Sequence, residues 1–513
     1  MSIKFYYKVV IMKRNKILPV IALLLLGITG CDKEFLEVEP TQFLTEKQIA
    51  EAAKNNPDVV AGSISGIYTL MFQTGTGGTN LDHDDFGQKG YDIYLDFLSG
   101  DMALTVNTYN WYQGLTEFQD NTDYTDNRNY KPWRYYYRLI RSSNLVIAAL
   151  GGNDAVPELE ANQHLMGQAK AMRAHSYFYL TQMFTREYVP GDPILPIYTD
   201  PNQPNQPKST TQQVFDLIVS DLTQSIELLE TFERSAKNQV NKHVAQGTLA
   251  YVYAYMGGND NLAKAKALTA DIIANGGYTL MTADEVVYAP VEAGVPDLVG
   301  GFNNISTAGW MWGVDLTLDN GLDLVSWWGQ IDRYTYSYQW AGDVKAMDAD
   351  LYAAIPADDV RKKQFPVGGA YSLAPLNKFY HYDRVVGRQR NIETDYVYMR
   401  VAEMYLLHAE VSARSGDEAS AKTSLKALVS LRRPSADYID GLTGQRLLDE
   451  IYLQTRIELW GEGKSYLALK RNKATTKRGP NHLSNVGIEI PYNDERLSFV
   501  IPQSEIQNNP FID

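Results

Sequence analysis

The stretch Leu165–Met183, LMGQAKAMRAHSYFYLTQM, decides the fold class. Leu165, Ala169, Met172, Ser176, Tyr179 and Met183 recur at spacings of four and three, so they share one face of an α-helix. The same period returns in Val214, Leu217, Ile218, Leu222, Ile226 and Leu229, directly after the helix-start signal Ser209-Thr210-Thr211. Between these two helices lies Pro190 to Pro207, whose six prolines restrict it to a connection. Outward from this centre, a first helical stretch is expected from Glu46 to about Phe72, interrupted at Asn56-Pro57, and a last one from Gln445 to about Lys470.

Two further segments look like one repeated unit. Ala250 is followed seven residues later by Gly257, and Ala409 seven residues later by Gly416; after each glycine comes a helix of small residues, Ala263-Lys264-Ala265-Lys266-Ala267 and Ala419-Ser420-Ala421-Lys422. Small residues let antiparallel helices approach closely and the glycine supplies the turn, as in tetratricopeptide helix pairs. Helical periodicity lapses over about 74–129 and about 279–390, which are rich in Gly, Asp, Asn and aromatic residues. The reading is mainly α: a tetratricopeptide-like helical-repeat scaffold, one domain over 46–513, carrying two large irregular loop insertions.

The N-terminal segment reads as a processing signal. The basic stretch Met12-Lys13-Arg14-Asn15-Lys16 precedes the apolar run Ile17 to Ile28. A helix of that length reaches about 18 Å, short of a hydrocarbon core of roughly 30 Å, so 1–30 is expected to be a signal peptide and not a span. Ile28-Thr29-Gly30-Cys31 resembles a bacterial lipobox, and Cys31 is the only cysteine in 513 residues. Lipidation of Cys31 would anchor the chain to a membrane through the tether 31–45. Asp32 and Glu34 beside it resemble the acidic export tag of Bacteroidota surface lipoproteins, which favours the outer face of the outer membrane.

With no second cysteine, no disulfide can form, and stability must come from the core. The formal net charge is −14, and removal of 1–30 takes away Lys4, Lys8, Lys13, Arg14 and Lys16 without any acid. Such an acidic chain is ill suited to nucleic acid. The 35 tyrosines and 8 tryptophans exceed what a core alone asks for and suit amphipathic, wet surfaces such as sugars present.

Five segments, in order, resemble the SusD/RagB family of outer-membrane nutrient-binding lipoproteins. Trp133-Arg134-Tyr135-Tyr136-Tyr137 through Asn144 is similar to the family's W-x-x-Y-Y helix, and Ala169-Lys170-Ala171-Met172-Arg173-Ala174 with Tyr177-Phe178-Tyr179-Leu180 to its A-x-A-x-R-A-x-x-Y-F helix. Tyr398-Met399-Arg400-Val401-Ala402-Glu403, then Arg456-Ile457-Glu458-Leu459-Trp460-Gly461-Glu462-Gly463, then Ile501-Pro502-Gln503-Ser504-Glu505-Ile506 with Asn509-Pro510 follow its closing signatures. Tyr466-Leu467-Ala468-Leu469 departs from the pattern, which usually has Asp before a leucine there. The resemblance implies four tetratricopeptide-like pairs, a ligand site on the irregular loops, and a SusC-like TonB-dependent transporter as partner. It implies glycan capture without cleavage. An oligopeptide ligand, as in RagB-like members, or a protein-binding scaffold is the alternative.

For the site, the aromatic clusters carry the expectation. Flat rings stack on the C–H faces of pyranoses, while neighbours such as Arg333 and Gln330 would bond hydroxyls and confer selectivity. The candidate ligand residues are Trp111, Tyr112, Trp327, Trp328 and Tyr334, with most of the remaining rings, Trp310 and Trp312 among them, expected in the core. Glu458 and Glu462, four apart, have the types a glycosidase needs, but such glutamates more often form ion pairs. Asp82, His83, Asp84 and Asp85 match no calcium-loop spacing, and neither a metal nor a cofactor is expected.

Overall fold

The computed structural model describes residues 46–80, 82–290 and 298–512; Cys31, the signal segment and the tether lie outside them. Helices α1 (Glu46–Ala53) and α2 (Asp58–Leu70) flank Asn56-Pro57 as expected. The scaffold proper is α4 (Asn127–Ala149), α5 (Glu160–Phe184), α6 (Thr211–Leu228), α7 (Lys242–Met256), α8 (Asn259–Asn275), α9 (Val401–Arg414) and α10 (Glu418–Val429). Each packs on the next along the chain, α8 meeting α9 across the long insertion, which is the stacking of a helical repeat. A helix that touches neighbours on both sides is buried nearly all round, and Met166 to Met183 of α5 are buried without exception. Thr210 caps α6 in a reciprocal box with Gln213. Gly257 and Gly416 make the two predicted turns at φ of 69° and 84°, where a side chain would be strained.

The family-like motifs meet in space. Arg173 on α5 makes two hydrogen bonds to Asp221 on α6, each 2.7 Å, and a third to the Asn144 side chain on α4 at 2.9 Å. Three helices are thereby tied in register by one buried guanidinium. Arg400 donates to Glu458 and Glu462 at 2.8 Å each, and Arg432 and Arg361 complete the shell around Glu458 at 2.9 and 3.1 Å. Burial pushes Glu458 up, but Arg432, Arg400 and Arg361 hold it well below the usual carboxylate range. The two glutamates form a closed, buried ion-pair network.

Two expectations are modified. The 74–129 insertion contains a regular helix, α3 (Gln88–Ser99), and every residue of it is buried. A helix buried on all faces need show no amphipathic period, so the sequence offered none to read. The last long helix is broken: α11 (Gln445–Glu458) and α12 (Ser465–Arg471) are separated at Gly461 and Gly463, both with left-handed φ of 79° and 72°. Short strands pin the insertions to the scaffold. β1 (Met102–Asn107) pairs antiparallel with β3 (Asp343–Met347), joining the two insertions to each other, and β2 (Trp310–Val314) pairs with β4 (Tyr396–Arg400), which leads into α9.

Candidate functional site

Most of the aromatic rings are interior. Trp327 is 2% and Trp328 0% exposed, so neither can offer a face to a ligand, and the expectation that they form a platform is corrected. Trp328 donates its indole N–H to the Thr394 carbonyl at 2.6 Å; Trp327 packs edge-on to Trp328 and to Phe379, with ring centroids 5.0 and 4.6 Å apart. Tyr112 is corrected likewise: it is buried between Tyr94 and Phe97, beneath the Lys345 ammonium 5.1 Å from its ring. Tyr334 is buried too, its hydroxyl accepting from Arg384 at 2.6 Å, and Arg384 is itself enclosed by the Tyr288, Tyr334 and Tyr380 rings. Gln330 is fully buried and bonds protein groups. Trp310 and Trp312 are core, as expected.

Trp111 has a different setting. It is half-buried, stacked flat on His83 at 5.0 Å with a 10° angle between planes. Tyr338 closes the other side of the cluster, 6.0 Å from Trp111 and 5.2 Å from Tyr109, whose own ring is 51% exposed. His83, which stands among Asp82, Asp84 and Asp85, has its Nδ1 bonded to the Tyr338 hydroxyl. Burial lowers its pKa against the pull of Asp84 and Asp82, which favours the neutral ring in the stack. Asp84 is bonded to Lys131 and Tyr94, Asp85 to the Gly77 N–H and Thr79. Among the described residues no group of three or more His, Cys, Asp or Glu could hold a metal ion.

The cluster continues across one tight turn. Tyr338–Ala341 is a single helical turn capped by Ser337, whose hydroxyl accepts the Trp340 N–H at 3.0 Å, and it ends at Gly342 with φ of 113°. Trp340 projects from it, 37% exposed, with Tyr336 against it at 5.5 Å. On one side Thr108 bonds the Gly342 carbonyl, and Asp343 accepts the Thr108 and Tyr109 N–H groups at 2.6 and 2.8 Å, which orients the loop bearing Tyr109 and Trp111. On the other side the 385–391 loop is held by hydrogen bonds from the Gly387 N–H to the Arg333 carbonyl and from the Tyr336 N–H to the Gln389 carbonyl. The result is two aromatic pairs at the join between the insertions, Tyr109 and Trp111 around Tyr338, and Tyr336 against Trp340 in the same turn, which together make the candidate strip. Trp111 is the one ligand candidate that lies on it. Tyr336 and Trp340 lie in the same aromatic-rich 279–390 stretch as Trp327 and Trp328, and nothing in the sequence separates the two pairs.

Comparison with known proteins follows the same lines. Residues 87–254 match a SusD-like family profile described as starch-binding associating with outer membrane, and residues 356–512 match the SusD family profile. This chain belongs to the SusD/RagB family. SusD-like protein P25 of Formosa agariphila is 22% identical over 232 residues, 43% of this chain, and the match spans only 40% of that relative's length. A SusD-like carbohydrate-binding protein from Bacteroides vulgatus aligns with a TM-score of 0.67 at 23% identity, over 88% of this chain and 96% of its own. A further crystal structure, with xylogluco-oligosaccharide, aligns at 0.61 and 17%, over 88% and 97%. These structural likenesses bear out the mainly α, tetratricopeptide-like SusD fold. Among the described residues no helix is long and apolar enough to cross a membrane.

Proposed function

We propose that this SusD-family chain captures a glycan on the Tyr109–Trp111–Tyr336–Trp340 strip at the outer surface of the outer membrane and passes it uncut to a SusC-like TonB-dependent transporter. The carrying observation is the exposure of Trp340 and Tyr109 on backbone fixed by Ser337 and Asp343. Rings held in this way lose little freedom on stacking against a sugar, so the contact area is converted into affinity. The xylogluco-oligosaccharide present in one structural neighbour supports a glycan as the ligand class. In this reading Cys31 carries the lipid that holds 46–513, as one domain, at the membrane. Tethering beside the transporter raises the effective ligand concentration, so modest affinity suffices.

The test is retardation of the purified protein in native gels cast with a panel of polysaccharides. Trp340→Ala and Tyr109→Ala should each weaken retardation about tenfold, equivalent to about 1.4 kcal/mol, with the thermal midpoint nearly unchanged. Unaltered retardation in both variants would place the ligand elsewhere. Release of reducing sugar from the bound polysaccharide by the pure protein would overturn uncut delivery.

A further inference from the structure

The strip is bordered by three arginines whose guanidinium groups make no hydrogen bond among the described residues. Arg333 lies with its guanidinium carbon 4.2 Å from the centre of the Tyr371 ring, whose hydroxyl bonds the Trp340 carbonyl, and its buried Nε has no hydrogen-bond partner. Arg390 lies 4.2 Å over the Tyr336 ring and reaches Asp323 only at 3.9 Å, with both side chains largely exposed. Arg388 is exposed, one residue beyond the glycine that packs on Trp340, and its side chain has no hydrogen bond or ion pair among the described residues.

The carboxylates on the same segments are differently placed. Asp332 is buried and accepts the Tyr334, Thr335 and His381 N–H groups at 3.0 Å each. Asp343 holds Thr108 and Tyr109, and Glu393 accepts from Tyr382. Asp383 is exposed on these segments, and Asp323 is half-exposed opposite Arg390. In a chain of net charge −14, Arg333, Arg390 and Arg388 flank the Trp340 turn, the first through Tyr371, the second through Tyr336 and the third next to Gly387, while three of the five acids named beside them are engaged in structure. A neutral sugar would engage these guanidinium groups only through its hydroxyls. A planar guanidinium is matched to a carboxylate or sulfate, which it can bind through two parallel hydrogen bonds.

We infer that the ligand of the Trp340 strip is an anionic glycan, in which sugar rings stack on Trp340 and Tyr336 while carboxylate or sulfate groups are taken by Arg388, Arg390 and Arg333. This rests on the strip being the glycan site and adds the charge class. The experiment uses native gels containing polygalacturonate (a uronate), carrageenan (a sulfate ester) or xyloglucan (neutral), with the protein and its Arg388→Gln/Arg390→Gln variant. Both positions are exposed, so folding should be unaffected, as circular dichroism can verify.

The expected result is retardation by polygalacturonate or carrageenan, whichever anion is correct, reduced about tenfold or more in the variant. It should also weaken as salt rises from 50 to 500 mM, because exposed charges are screened. Retardation by xyloglucan alone, or by any of the three without sensitivity to the variant, overturns the anionic assignment and leaves the strip as a neutral-glycan site. If Trp340→Ala also leaves that retardation unchanged, the strip reading falls as well. No retardation in any gel overturns both.

Discussion

Trp327 and Trp340 stand thirteen positions apart and are opposites in use. Trp327 fills space between Trp328 and Phe379, so Trp327→Ala should cost about 3–5 kcal/mol, as lost core rings do, and lower the thermal midpoint by several degrees. Any binding lost would track unfolding. Lys345 supplies a second residue-level test. Burial pushes its ammonium down to about 7, with Asp343 opposing, and its hydrogen bond to Gln330 is 2.9 Å long. Between that value and the ordinary lysine range the unfolded chain binds the proton that the folded chain has released. Stability should therefore rise with pH from about 7 to 9, by on the order of 1.4 kcal/mol per pH unit for each such group. Lys470, lowered to about 7, and Lys378, to about 8, act in the same sense. In urea unfolding at pH 7, 8 and 9, Lys345→Met should reduce the slope without abolishing it. An unchanged slope would show that Lys345 is not neutralised in this window.

At the level of elements, the 385–391 loop supports the exposed indole. Gly387 has φ of 64°, and a Cβ there would lie 2.4 Å from a Trp340 ring atom. Gly387→Ala should therefore displace Trp340, weakening gel retardation about tenfold, while the left-handed backbone costs only about 1 kcal/mol. A crystal structure of the variant with Trp340 unmoved would refute this. The join at β1 and β3 explains why two insertions far apart in sequence make one surface: residues 107 and 343 are ladder partners, so the Tyr109 loop and the Trp340 turn emerge from the same edge.

For the whole molecule, the described residues form a stacked helical body whose two insertions meet at the β1–β3 join, and attachment is assigned to the segment before them. Cys31→Ala should leave circular dichroism and the thermal midpoint unchanged but shift the protein from the membrane fraction to the soluble fraction. Two or three acyl chains at about 0.8 kcal/mol per buried methylene account for that difference. Retention of the variant in membranes lacking a partner transporter would show that Cys31 is not the anchor.

Periodicity and short motifs settled the scaffold. The α5 and α6 faces, the turns at Gly257 and Gly416, and the Arg173, Arg400 and Glu458 motifs all involve spacings within one helix or residue types that burial makes obligatory, and these are legible locally. The identity of the site was not. Tryptophans have the same local sequence character whether they fill a core or face water, and exposure depends on which distant segments cover them: Thr394 and Phe379 cover Trp328 and Trp327, whereas Gly387, lacking a side chain, packs against Trp340 without enclosing it. Only the pairing of β1 with β3, a contact between residues more than two hundred positions apart, brought the loop of Tyr109 and Trp111 beside the turn of Trp340.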